Sequence, residues 1–151
     1  MSDLSNILNA REPLTLAQVA RGAQPLVLAD LARASTGRAV FIAPDDAAMR
    51  GIVEAAAFFA PELDVIEFPA WDSLPYDRAS PALSISARRL AALHRLQTGK
   101  AKAQLIVTTA NAVLQRVLTP FRIRESVREF KVGTEIGRES LAALLQRQGY
   151  S

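Results

Sequence analysis

The sequence has no cysteine and a single histidine, His94, among its 151 residues. The first absence excludes disulfides, thiolate metal sites and a cysteine nucleophile, and the second excludes a multi-histidine metal site within the chain. No stretch approaches the ~20 apolar residues needed to cross a bilayer. The first twelve residues, MSDLSNILNARE, lack the apolar run of a secretory signal. We therefore expect a cytoplasmic protein with no membrane partner.

The charge of the chain is unevenly distributed. Residues 1–86 hold 6 basic and 11 acidic side chains (−5), and residues 87–151 hold 12 basic and 4 acidic ones (+8), which together give the net charge of +3. A basic second half can indicate a nucleic-acid or acidic-protein partner. Its charges are scattered singly among apolar positions and are not gathered with stacking aromatics, so a solvated helix face is the preferred interpretation.

Apolar patterning predicts an α/β fold, an open and mostly parallel sheet with flanking helices, because short apolar runs alternate with helical patterns. The run AVFIA at residues 39–43 is continuous, as in a strand buried on both faces. Asp45 or Asp46 is expected to cap the helix that follows, and Thr109 or Asn111 a later one. The expected strands are residues 39–43, 64–68 and 104–108, and the expected helices are residues 25–34, 46–60, 84–97 and 109–118, the last stopped by Pro120.

The pattern changes after residue 125. SVREFKV, residues 126–132, alternates apolar and polar side chains like a strand with one wet face, Gly133 is expected to turn the chain, and residues 138–148 form an amphipathic pattern. We expect one α/β domain over residues 1–125 and the truncated beginning of a second, α+β domain over residues 126–151.

The residues do not support catalysis. Hydrolysis of a nucleotide triphosphate needs a glycine-rich loop ending in Lys and Ser or Thr, but Gln24 and Pro25 stand roughly where that pair would be, and proline has no amide to offer a phosphate. The carboxylate pairs have structural explanations, helix capping for Asp45–Asp46 and turn formation for Asp72 and Asp77. We expect no catalytic, cofactor-binding or metal-binding residue in this chain.

The segment between the second strand and the long helix holds the candidate contacts to a partner or to DNA. Trp71 and Tyr76 bracket a loop rich in Pro, Asp and Ser, where functional residues concentrate. Packing of both rings on the sheet edge is the preferred interpretation, and a base-stacking or protein-docking platform is the alternative. Arg88 and Arg89 open the helix behind the loop and are expected to contact phosphate or an acidic partner, or to pair with Asp72 or Asp77.

The run FPAWDSLPYDRASPALSISARRLAALHRL, residues 68–96, resembles the signature segment of the amino-terminal region of bacterial transcription-repair coupling factors. AVFIAPD at residues 39–45 and LIVTTANAVLQRV at residues 105–117 match neighbouring segments of that family, and the last twenty residues resemble the entry to its second domain. The WDSLPYD loop is the specific signal.

The resemblance implies a degenerate helicase-like domain, similar to component B of the ABC excinuclease but without a working phosphate loop. The full-length protein is then expected to be an ATP-dependent DNA translocase that needs ATP and Mg²⁺, removes stalled RNA polymerase from DNA and recruits component A of the excinuclease for nucleotide excision repair. Most recruiting contacts would lie in the second domain, beyond this chain. Only residues 79–83 separate loop from helix, which leaves no room for the DNA-clamping hairpin of component B. The alternatives are a stand-alone nucleic-acid-binding module that uses the basic second half, and a small-molecule-binding domain that uses the loop around Trp71.

Overall fold

The computed structural model describes residues 4–35, 37–73, 80–99 and 103–147. Its two compact units are residues 1–116 and 117–151. Within the described ranges, the first contains three strands, five α-helices and a short 3₁₀ helix at Arg21–Ala23, and the second contains two α-helices. The elements are α1 (Leu4–Leu8), α2 (Gln24–Ala34), β1 (Arg38–Ala43), α3 (Asp46–Phe59), β2 (Asp64–Phe68), α4 (Leu83–Thr98), β3 (Gln104–Thr109), α5 (Ala110–Leu114), α6 (Pro120–Ser126) and α7 (Arg138–Arg147).

The sheet has the order β1-β3-β2, and both pairings are parallel. The α/β class and all three strand positions are thereby confirmed. Alternate residues of each strand face opposite sides of the sheet, and two clusters of buried side chains result. One lies under α2 and α3, with Met49, Ile52, Leu105 and Val107 at its centre. The other lies under α4, with Ile66 and Phe68 of β2 packed against Ala92.

Strand β1 corrects one prediction. Its apolar run was expected to be buried on both faces, but β1 is an edge strand in which Val40 and Ile42 are 59% and 52% exposed. Ala39 and Phe41, which face the opposite side of the sheet, pack against the cluster under α2 and α3. An unbroken apolar run therefore indicates a hydrophobic strand, but it does not indicate whether helices cover both faces of that strand.

Helix α3 starts where the sequence indicates, because the Asp45 carboxylate accepts a hydrogen bond from the amide of Ala48 at 2.7 Å. Thr109, rather than Asn111, caps α5 in the same way. The prediction of one helix extending to Leu118 is wrong, since α5 ends at Leu114. Pro120 does not stop a helix but occupies the first turn of α6, where its missing amide costs nothing.

The second unit also differs from its prediction. Residues 126–132 form no strand: Ser126 is the last residue of α6, and the residues after it are irregular up to a turn at Gly133, whose φ is +89°. The alternating pattern has no neighbouring strand among the described residues with which to pair, and a strand needs a partner. The turn at Gly133 and the helix after it, α7, are confirmed.

A polar bridge ties the amino ends of the three strands together. The buried side chain of Gln104 on β3 accepts a hydrogen bond from Arg38 Nε of β1 and donates one to Asp64 Oδ2 of β2, both at 2.6 Å. Arg95 of α4 pairs with the same aspartate. Each of these polar side chains forms its hydrogen bond or ion pair with a residue of another element. The bridge therefore fixes the register of the strands relative to one another.

Candidate functional site

The candidate site lies at the carboxyl ends of β2 and β3, where open parallel sheets usually carry their functional loops. Strand β2 ends at Phe68 and leads into Pro69, Ala70 and Trp71. The Thr108 hydroxyl of β3 donates to the Phe68 carbonyl at 2.9 Å. This bond fixes the point at which the loop leaves the sheet.

Arg89 forms the centre of the site. Its guanidinium lies between two aromatic rings, 4.3 Å from the centroid of Phe68 and 4.4 Å from that of Trp71. Only 2% of the residue is exposed, and desolvation lowers the pKa of Arg89 below its ordinary value. The arrangement is a cation–π sandwich in a dry environment, where such contacts are strongest.

Gln115 connects this sandwich to the segment after α5. Its Oε1 accepts hydrogen bonds from the Trp71 amide at 2.8 Å and from Arg89 Nη1 at 3.1 Å. Arg89 Nη1 also donates to the Pro69 carbonyl. Sequence reasoning missed Gln115, because a single glutamine after a short helix carries no signal of its own. We call Phe68, Trp71, Arg89 and Gln115 the arginine clamp.

One nitrogen of the clamp has no hydrogen-bond partner. Arg89 Nη2 is buried and makes no hydrogen bond, and a buried N–H without an acceptor costs about 1–3 kcal/mol. The cation–π contacts of the guanidinium with Phe68 and Trp71 offset part of this cost.

Asp72 fixes the other end of the described loop. Both of its carboxylate oxygens lie within hydrogen-bond reach of the amide of Ala82, at 3.1 and 3.3 Å, directly before α4. Turn formation was expected for Asp72, whereas this contact joins it to an amide ten residues further along the chain. Tyr76 and Asp77, for which contacts were also predicted, lie outside the described residues.

Arg88 does not belong to the clamp. It pairs with Glu67 of β2 and not with Asp72, one of its two expected partners. Its side chain remains 50% exposed, so it is accessible to solvent in a way that Arg89 is not. The neighbouring arginines thus have different roles: Arg89 holds the loop from inside, and Arg88 lies on the surface.

A cavity of about 630 Å³ opens at the carboxyl end of β1, between the start of α2 and α3. Its wall includes Gly22, Gln24 and Pro25. The segment that occupies the position expected for a phosphate loop therefore borders this cavity. Arg21 is the cation among the lining residues, and Asp45 is the carboxylate. None of the described residues around the cavity is a lysine, the residue with which a P-loop contacts the terminal phosphates.

The described residues of the chain contain neither a metal-binding cluster nor a membrane-spanning helix. No three His, Asp or Glu side chains in them come close enough together to hold a metal ion. None of their helices is both long and apolar enough to span a bilayer.

Comparison with known proteins gives one consistent result. No family model matches the chain. Among curated proteins, transcription-repair-coupling factor of Haemophilus influenzae is 33% identical over 87 residues, 58% of this chain and 7% of the relative. The protein of the same name from Rickettsia bellii is 36% identical over 62 residues, 41% of this chain and 5% of the relative. That of Escherichia coli is 28% identical over 114 residues, 76% of this chain and 10% of the relative.

The chain thus spans a tenth or less of the length of each of these relatives. All five curated matches carry the same name. The resemblance first seen in the WDSLPYD loop is therefore confirmed: this chain is similar in sequence to a short part of the transcription-repair coupling factors.

Proposed function

We propose that this chain is a non-catalytic scaffold and partner-docking module of a transcription-repair coupling factor. The observation that carries the proposal is the similarity to five proteins of that name, which extends over up to 76% of the chain. The arginine clamp supports a scaffold role, since it uses the most distinctive residues of the loop to hold the loop on the sheet.

The residues around the cavity at the carboxyl end of β1 support the proposal that this chain does not bind or hydrolyse a nucleotide. A phosphate-binding loop presents several backbone amides and a lysine to the phosphates. Pro25, in the first turn of α2, has no amide, and Gln24 is uncharged. The ATP and Mg²⁺ that the proposed parent protein uses would bind elsewhere in its much longer chain, which would also contain its DNA translocase and its RNA polymerase-binding site. The proposed recruitment of excinuclease component A would likewise involve residues beyond this chain.

The rival proposal is a nucleic-acid-binding module that uses the basic second half. The structure accounts for three of the twelve basic residues of that half within the fold itself. Arg88 and Arg95 of α4 pair with Glu67 and Asp64 of β2, so basic residues of the second half meet acidic residues of the first. Arg89, a third cation of α4, is buried in the clamp.

Two measurements test the proposal. The reading frame should be followed beyond Ser151: a later phosphate loop with helicase motifs supports a coupling-factor parent, and its absence from a completed frame refutes that parent. Binding of the purified chain to a 30-base-pair duplex should also be measured by fluorescence anisotropy at 50 and 200 mM salt. A scaffold gives little binding at either salt concentration. Tight binding that falls about 10³-fold or more across this range supports the nucleic-acid module instead.

The proposed absence of nucleotide binding has its own test. The melting temperature of the chain should be unchanged by millimolar ATP with Mg²⁺, because a ligand that binds the native state raises it. A concentration-dependent rise that is removed by Arg21→Gln, a substitution in the cavity wall, contradicts the proposed absence of nucleotide binding.

A further inference from the structure

We draw no further inference here: the strongest candidate, the cavity of about 630 Å³ at the carboxyl end of β1 between the start of α2 and α3, carries none, because its described wall consists largely of apolar residues and nothing in the structure shows what fills it.

Discussion

Replacement of Arg89 by methionine should loosen the loop after β2. The substitution keeps an apolar side chain of similar length between Phe68 and Trp71 but removes the cation and its donors. The Pro69 carbonyl loses its hydrogen bond from Arg89 Nη1, while Gln115 Oε1 keeps the one from the Trp71 amide. The comparison therefore isolates the contribution of the guanidinium from that of simple packing.

The size of the effect follows from these contacts. Loss of the donor to a buried carbonyl costs about 1–3 kcal/mol, and loss of two cation–π contacts costs about 1–2 kcal/mol each. Removal of the unpartnered Nη2 and of the desolvated charge returns part of this. We expect Arg89→Met to lower the free energy of unfolding by about 2–3 kcal/mol, a drop of roughly 5–10 °C in melting temperature for a chain of this size.

Equilibrium unfolding in urea measures this loss, and the fluorescence of Trp71 locates it, because Trp71 is the only tryptophan. Its emission should shift to the red in the folded variant as water reaches the ring. Arg88→Met is the matched control, since the partly exposed pair with Glu67 contributes about 0–1 kcal/mol. Equal unfolding midpoints and unchanged emission in the two variants would refute a structural role for the clamp.

Three further predictions concern other parts of the first unit. Gly51→Ala should stabilise the chain by roughly 0.5–1 kcal/mol in thermal or urea unfolding, because Gly51 is interior to α3 and a Cβ there meets nothing within 4 Å. Gly99→Ala should destabilise it in the same assay, since the new Cβ would lie 2.6 Å from Gln104 Nε2 and 2.7 Å from a backbone oxygen; an unchanged midpoint contradicts this contact. Glu62 has a lowered pKa because of its backbone hydrogen bond and its pair with Arg33. Its stabilising contribution is thus present above its unfolded pKa, near 4.5, and is lost as pH falls through the lower folded value. Melting curves from pH 7 to pH 3 should show a shallower acid-side decline for Glu62→Gln than for the wild type, and parallel curves would contradict the sign.

Local features of the sequence predicted the elements of the first unit well. The runs at residues 39–43, 64–68 and 104–108 are strands because β-branched and apolar residues cluster there between turn-forming ones. Asp45 caps its helix through a contact three residues away, so nothing distant can alter it. The family resemblance is local in the same way, because the WDSLPYD motif consists of consecutive residues.

Features that depend on neighbours were less predictable. SVREFKV has the alternation of a strand but no described strand beside it. Among the described residues Arg88 pairs with Glu67, 21 residues away, and not with Asp72. No periodicity in the sequence indicates that Gln115 would receive hydrogen bonds from both Trp71 and Arg89.

The sequence by itself determined the three strands, the helices α2, α3, α4 and α7, the lack of a P-loop lysine at the start of α2 and the similarity to coupling factors, because each of these depends on residues close together along the chain. Only the tertiary structure decided that β1 lies at an edge with Val40 and Ile42 exposed, and that Arg89 is buried between Phe68 and Trp71 while Arg88 remains on the surface. The physical reason is that burial and pairing belong to the order of strands and the packing of helices, which bring together residues that the linear sequence keeps apart.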